Sequence, residues 1–195
     1  MIGELSIFVI TLVAVIVTEY VNYSIIIKNT VKCYNLNYLS NTLKYDIDGI
    51  IKYVAGVDVE LRVGRNLKYS SIHLPLKPPT IIADIDMLFN TQLSNINIIC
   101  LIHEACHIAN KSSLKFLAAK TIIIPNSATI CFNILKNVVP PTSVVLIALI
   151  LLTTYALLHI LNICDERSAN SCLSNYVKID RDHTLHTLKV YKISS

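Results

Sequence analysis

Apolar residues are concentrated in three long segments of the chain. Residues 142–163 carry no formal charge, are rich in Leu, Ile and Val, and follow Pro140-Pro141. At 1.5 Å per residue this segment is long enough to cross a hydrocarbon core of about 30 Å. Residues 5–18 are also uncharged, but they form a span only if Glu4 and Glu19 lie at the two interfaces or if residues 20–27 extend the helix. A cleaved signal peptide is the competing interpretation, and the absence of a basic start and of a small-residue cleavage site favours an uncleaved anchor.

Residues 121–135 are the weakest of the three candidate spans. They are uncharged but interrupted by Pro125, and they need residues 116–119 to reach spanning length, with Lys120 extending to the interface. Together with the strong span they would form a helical hairpin whose turn is residues 136–141.

Between the apolar segments at 5–18 and 121–135 the pattern of hydrophobic positions changes twice. Apolar residues recur at helical spacing over residues 39–54 and predict an amphipathic helix that ends near Gly56. From Val57 to Val63 apolar and polar residues alternate, which predicts a half-buried strand. Two further strands are predicted at 67–74 and 80–84, and a short helical stretch at 86–89 leads into a helix from about Leu93. The apolar positions of the amphipathic helix are Leu39, Leu43, Ile47, Ile50, Ile51 and Val54.

These elements predict an α+β membrane protein. It is expected to be mostly helical, with a small sheet and two to three transmembrane helices. Only 15% of residues are charged and the mean hydropathy is +0.56, whereas soluble domains carry about 25% charged residues. The net charge of +4 is modest and no run of Lys or Arg is present, so we expect a lipid bilayer as a partner and no nucleic acid. The six cysteines occur singly, several within apolar stretches, which favours buried reduced thiols over disulfides.

The basic residues predict an orientation in the membrane. Eleven of the 17 Lys and Arg lie between Lys28 and Lys120, five follow residue 163, and only Lys136 lies in the predicted hairpin turn. Basic residues favour the cytoplasmic side. This predicts an integral protein of the cell membrane with its N-terminus outside, residues 28–120 inside, the turn outside and the C-terminal tail inside.

The candidate chemistry begins with His103-Glu104-Ala105-Cys106-His107, an H-E-x-x-H motif in the helix that starts near Leu93. Residues four apart on a helix are separated by roughly 40°, so His103 and His107 can bind one zinc ion from the same face. Glu104 is displaced by about 100° and is placed to act as general base on a zinc-activated water. Structural histidine pairs also occur on helices, but three ionisable groups in an otherwise apolar helix favour a site for one Zn²⁺ per chain.

An open catalytic zinc site needs a third protein ligand. Glu166 is favoured because it emerges just beyond the strong span, on the predicted cytoplasmic side. Asp165 is its closest rival, one residue earlier on the same helix. The remaining alternatives are histidines that are more often buried in a span or solvated in a polar tail: His159, His183 and His186.

The order of anchor, small sheet, H-E-x-x-H helix, hydrophobic hairpin and Glu166-Arg167-Ser168-Ala169-Asn170 resembles that of the HtpX-like and CAAX-prenyl-protease family of integral membrane gluzincins. The similarity covers about residues 45–191. It implies a metalloendopeptidase that hydrolyses membrane or misfolded proteins, with Glu104 as general base and His103, His107 and Glu166 as zinc ligands. It also implies that strand 80–84 offers its edge to an extended substrate and that a helix at 185–191 closes the domain.

Asn170 is a departure from the family, which has Asp at this position to orient a zinc-binding histidine. An amide oxygen can accept the same hydrogen bond but carries no charge. We therefore expect Asn170 to support the site from outside the ligand set, and an inactive scaffold with the same fold is one alternative. An intramembrane protease of the site-2 type is another, although no Asp-Gly pair follows in a later span.

These predictions divide the chain into four segments. Residues 1–27 form the N-terminal membrane anchor. Residues 28–115 form the first half of a protease domain that contains the H-E-x-x-H helix, residues 116–163 the hydrophobic hairpin, and residues 164–195 the second half of the protease domain with the third ligand.

Overall fold

The computed structural model describes residues 2–33, 47–88, 94–138, 140, 142–179 and 185–188. Within these ranges the chain is mostly helical and carries two small sheets. The helices are α1 (Ile2–Lys28), α2 (Ile47–Ala55), α3 (Ile85–Leu88), α4 (Ser94–Ala109), α5 (Ser112–Asn137) and α6 (Thr142–Tyr176). The strands are β1 (Val31–Lys32), β2 (Glu60–Gly64), β3 (Ser70–Ile72), β4 (Thr80–Asp84), β5 (Val177–Ile179) and β6 (Leu185–Leu188).

Helices α1, α5 and α6 are each long and apolar enough to cross a membrane. The two weaker spans predicted from the sequence are therefore confirmed in length: α1 continues to Lys28, and α5 continues through Pro125. A proline inside a helix leaves the carbonyl four residues earlier, here that of Thr121, without its usual donor, which spanning helices tolerate. Large apolar side chains along these helices are exposed, as a lipid-facing surface requires.

The chain divides into two compact units, of which the first combines Met1–Ser24 with Leu114–Cys164. Polar side chains join its apolar helices. Lys120 of α5 forms an ion pair with Glu19 of α1 and lies over the ring of Phe116. The hydroxyls of Ser127 in α5 and Thr154 in α6 are 2.7 Å apart. Such contacts stabilise helix association where the hydrophobic effect does not act between helices.

The second unit combines Ile25–Ser113 with Asp165–Ser195 and contains a four-stranded sheet with the order β1-β2-β4-β3. Strand β4 pairs in parallel with β2 and antiparallel with β3. The expectation that residues 80–84 offer a free edge to a substrate is therefore wrong: both edges of β4 are already hydrogen-bonded. The short apolar run marked this segment as a strand candidate, but it does not identify the strands that pair with it.

The core of the second unit lies between this sheet and helices α2, α4 and the C-terminal part of α6. The amphipathic pattern correctly predicted the inward positions of α2, and Gly56 ends that helix with a positive φ of 69°, a conformation that glycine adopts without strain. In β2 the side chains alternate as predicted, with Leu61 and Val63 buried. Leu39, Leu43 and Phe89, which the sequence also placed in helices, lie outside the described residues.

The helix expected at residues 185–191 is not what the structure shows. Leu185–Leu188 is strand β6, which pairs with β5 in an antiparallel hairpin. The expectation came from the family resemblance, and short apolar runs of this kind do not distinguish helix from strand by period alone.

Arg62 of β2 connects the sheet to the end of α1. Its guanidinium donates to the carbonyls of Ile27 and Thr30 at 2.9 and 2.8 Å and to Glu60 at 2.6 Å. Lys32 forms a second ion pair with Glu60 at 3.3 Å. Burial by itself would raise the pKa of Glu60, but the hydrogen bonds from Arg62 and Lys32 outweigh it and lower this pKa below 4.5.

A depressed pKa in the folded state means that Glu60 stabilises the fold at neutral pH. This contribution is fully present above the unfolded-state pKa and is lost as the pH falls through the folded-state value. We expect Glu60→Gln to lower the free energy of unfolding at pH 7 by about 0.2–1 kcal/mol, and the difference from wild type to vanish in acid. Thermal unfolding in detergent across pH measures this. Asp58→Asn removes a carboxylate whose side chain is 87% exposed and is the control; an equal effect of both variants at pH 7 would contradict the assignment.

Candidate metal centre

Helix α4 buries one face in the core and turns its motif histidines the other way. Its buried apolar side chains recur at helical spacing and fill the core of the second unit. At about 100° per residue, His103 and His107 lie roughly opposite this face, and Glu104 lies on its flank. The buried apolar residues on the core-facing side of α4 are Ile98, Leu101, Ile102, Ala105 and Ile108. The packing of α4 therefore leaves the side chains of His103, His107 and Glu104 outside the core-facing side of the helix, where they can contribute to a metal site.

The two histidines and Glu166 come together as a group that can hold a metal ion. The Nε2 atoms of His103 and His107 are 3.1 Å apart. Glu166, on α6, brings Oε2 to 3.3 Å from His103 Nε2 and Oε1 to 3.7 Å from His107 Nε2. One ligand atom from each residue can be chosen so that all three lie within 4.8 Å of one another. The third ligand favoured from the sequence is thus the one that the fold brings to the histidines.

Asp165 contacts the opposite side of His107. Its Oδ2 lies 2.9 Å from His107 Nδ1, so it can hold the ring with Nε2 directed at the metal position. The Ser112 hydroxyl, 3.3 Å from the same Nδ1, donates to Asp165 Oδ1. A carboxylate that accepts from the second ring nitrogen fixes the tautomer of a metal-binding histidine and raises its basicity. Asp165 therefore occupies the place of a supporting carboxylate, and it is not one of the three grouped ligands.

Asn170, for which the sequence predicted that supporting role, is exposed. Among the described residues its side chain makes no hydrogen bond to His103 or His107, whose ring contacts are with each other, Asp165, Glu166 and Ser112. The carboxylate that contacts His107 Nδ1 is therefore that of Asp165, and Asn170 does not take this position.

Among the described residues no other ligand candidate joins the group. His159 belongs to the first unit, where its ring stacks on that of Tyr155 in the same helix. His183 lies outside the described residues, as does the side chain of His186.

Glu104 is buried beside the ligand group, with 8% of its surface exposed. Burial raises its pKa above the usual value, and the nearby Glu166 carboxylate adds to the shift. A hydrogen bond from the Ser71 side chain of β3 and the two histidines oppose it. A carboxylate of raised pKa accepts a proton more readily than an exposed one. Glu104 is therefore a buried carboxylate beside the ligand group, with a pKa that burial raises.

A disulfide joins Cys106 of α4 to Cys172 of α6, with a Cα–Cα distance of 5.8 Å. The expectation of reduced thiols throughout is wrong for this pair, while Cys33, Cys100, Cys131 and Cys164 are free. The bond closes a loop between residues 66 apart, which on loop-closure entropy stabilises the fold by about 4 kcal/mol. Single cysteines in separate helices give no spacing signal, so this pairing could not be derived from the sequence.

The sequence also missed the roles of Ser71, Ser112 and Asp165. For Asp165 a signal existed, because two adjacent carboxylates at the start of a polar helical segment project about 100° apart, and one can bind a metal while the other contacts a ligand. The serines lie in a strand and at a helix start, and no motif marks them.

Compared with protein-family models, curated proteins and solved structures, the chain matches none of them.

The contact with His107 predicts that Asp165 tightens metal binding. Asp165→Asn keeps the shape of the side chain but removes its charge, and we expect divalent-metal affinity to fall by about 10–100-fold. Titration against a chromophoric chelator in detergent measures the change. Asn170→Ala, on the same helix and exposed, should leave the affinity unchanged. An Asn170 variant that loses as much affinity as the Asp165 variant would contradict this assignment.

Proposed function

We propose that this chain is a membrane-anchored zinc metalloendopeptidase of the HtpX-like type, which hydrolyses peptide bonds in membrane or misfolded proteins. The observation that carries the proposal is the grouping of His103, His107 and Glu166, with the buried carboxylate of Glu104 next to it. Two imidazoles and one carboxylate, with a glutamate that follows the first histidine, are the set that a zinc peptidase requires.

The distances support zinc as the ion. Zinc binds histidine nitrogen at about 2.0–2.1 Å and carboxylate oxygen at about 2.0–2.2 Å in a tetrahedron. Ligand atoms at those distances are about 3.3–3.6 Å from one another by tetrahedral geometry. The separations of 3.1 Å between the two histidine nitrogens and 3.3 Å from His103 Nε2 to Glu166 Oε2 are close to this range. The 3.7 Å contact with His107 uses the other oxygen, Oε1, and with one ligand atom per residue the three atoms lie within 4.8 Å of one another. Three protein ligands leave the fourth position for water or substrate, which is the arrangement of catalytic rather than structural sites.

Zinc, when bound, supplies Lewis-acid activation of a water molecule and of the substrate carbonyl. The protein's own residues do the rest. Glu104 accepts the proton of the attacking water, which its raised pKa favours, and then donates that proton to the leaving amine. Asp165 and Ser112 hold the His107 ring in place, so that the ligand geometry is set before the substrate arrives.

The edge strand β3 is the best-supported position for an extended substrate. Within the described residues it pairs with β4 alone, and its Ser71 contacts Glu104. A peptide that adds to this edge gains main-chain hydrogen bonds without regard to its sequence. Such recognition suits a protease that acts on unfolded segments.

The charge distribution supports a location for the metal centre on the cytoplasmic side of the cell membrane, with the N-terminus outside. Both segments that contribute to the centre, residues 94–112 and 165–166, lie in parts of the chain whose basic residues favour the cytoplasm.

The peptidase proposal predicts that Glu104 is essential for turnover and not for metal binding. We expect Glu104→Gln, purified in detergent, to lose at least about 100-fold in the rate of casein hydrolysis and to keep its zinc. Chelator should abolish wild-type hydrolysis, and added zinc should restore it. Glu60→Gln makes the same change outside the site and should remain active at neutral pH.

Two results would reject the peptidase proposal. Hydrolysis that is the same with Glu104→Gln as with wild type would mean that another group or a contaminant cleaves. Zinc in wild type without any hydrolysis that depends on Glu104 would favour the inactive scaffold.

The proposed orientation predicts which surface lysines are accessible from outside the cell. With the four free cysteines replaced, Lys136→Cys should react with a membrane-impermeant maleimide in intact cells. Lys77→Cys, also exposed, should react only after lysis. The reverse pattern would place the metal centre outside.

A further inference from the structure

The disulfide lies between the two helices that supply the metal ligands. Cys106 immediately precedes His107 on α4, and Cys172 follows Glu166 by six positions on α6. The bond therefore fixes the separation of the two histidines from the third ligand. Its effect on metal binding rests on the proposed metal centre.

The position of Glu166 in the ligand group depends on the disulfide more than the spacing of the two histidines does. Both histidines are on one helix and keep their spacing whatever α6 does, whereas Glu166 reaches them from a different helix with its side chain 50% exposed. Other contacts hold this part of α6, including the hydrogen bond from Asn110 to Ser168 at 3.1 Å and the buried side chain of Ala169. Among these contacts the disulfide alone is covalent and responds to redox conditions.

The two sulfur atoms differ in their surroundings. Cys106 is fully buried, with 0% of its surface exposed, whereas Cys172 is partly exposed. An incoming thiolate thus approaches from the side of Cys172. Reversible disulfides differ from structural ones in such access.

We propose that Cys106 and Cys172 form a thiol–disulfide switch of the metal centre. As a disulfide, the pair holds Glu166 beside His103 and His107. Reduction by a small-molecule dithiol releases this attachment and weakens metal binding. On the proposed cytoplasmic side, disulfides are rare and mostly redox-sensing, which fits a bond that opens and closes rather than a permanent one.

Each step of the reduction is thiol–disulfide exchange. One thiolate of the dithiol attacks Cys172 Sγ, which forms a mixed disulfide and expels the Cys106 thiolate, and that thiolate takes up a proton. The second thiolate of the dithiol attacks the reductant sulfur of the mixed disulfide and expels the Cys172 thiolate, which is also protonated. Two electrons and two protons pass to the protein, and the dithiol becomes a cyclic disulfide. Exchange with a small-molecule disulfide such as oxidised glutathione reverses the change.

The switch is tested by zinc titration of the full-length wild-type protein in detergent in three states: oxidised, reduced and reoxidised. Reduction should lower zinc affinity by about tenfold or more, and reoxidation with oxidised glutathione should restore it. Mass spectrometry after alkylation should find two more modified cysteines in the reduced state, at 106 and 172. Because this comparison uses one protein, it does not depend on whether any variant folds.

Matched variants separate the pair from the other cysteines. Cys106→Ala/Cys172→Ala should bind zinc with the affinity of the reduced wild type and show no response to reductant. Cys100→Ala/Cys164→Ala removes two free cysteines, one on α4 and one on α6, and should keep the full response.

Three outcomes would overturn the switch. Equal zinc affinity in the oxidised and reduced states would reject it and leave the proposed metal centre standing. Tighter zinc binding on reduction would mean that the thiolates act as ligands. No zinc binding in any state would reject the metal centre and the switch together.

Discussion

The attachment of the C-terminal part of α6 to α4 is the constraint on which the candidate metal centre depends. Helix α4 carries both histidines and Glu104, but a tetrahedral ion needs a third ligand about one tetrahedral edge away, and no residue of α4 provides it. Glu166 does so because Ala169 and Leu173 of α6 are buried in the same core as Ala105 of α4. Ala105 and Ala169 are both fully buried in this core, and the disulfide between Cys106 and Cys172 joins the two helices covalently.

The ionisable groups of the centre contact one another, which explains how they are tolerated at buried and partly buried positions. A buried charge without a partner is strongly unfavourable. His107 has Asp165 on one ring nitrogen and faces His103 and Glu166 with the other, while Glu104 accepts a hydrogen bond from Ser71.

How far the sequence predicts this molecule depends on the range of each interaction. Runs of apolar residues predicted the spanning helices and β4. Periodicity predicted α2 and the face shared by His103 and His107, because it reports directly on which side of an element is buried. These local patterns could not place β4 between two other strands, because its pairing partners come from other parts of the chain. Nor could they distinguish Asp165 from Asn170 as the partner of His107, or pair Cys106 with Cys172, because those contacts depend on how α6 packs against α4.

The most direct test of the account is zinc-edge X-ray absorption on the purified protein, with the metal content of the same sample determined. We predict one zinc ion per chain in a four-coordinate shell of nitrogen and oxygen at about 2.0–2.1 Å, with scattering from two imidazole rings. A shell that contains sulfur at about 2.3 Å would instead place the ion on cysteines. That result, or a protein that retains no zinc, would contradict the assignment of His103, His107 and Glu166.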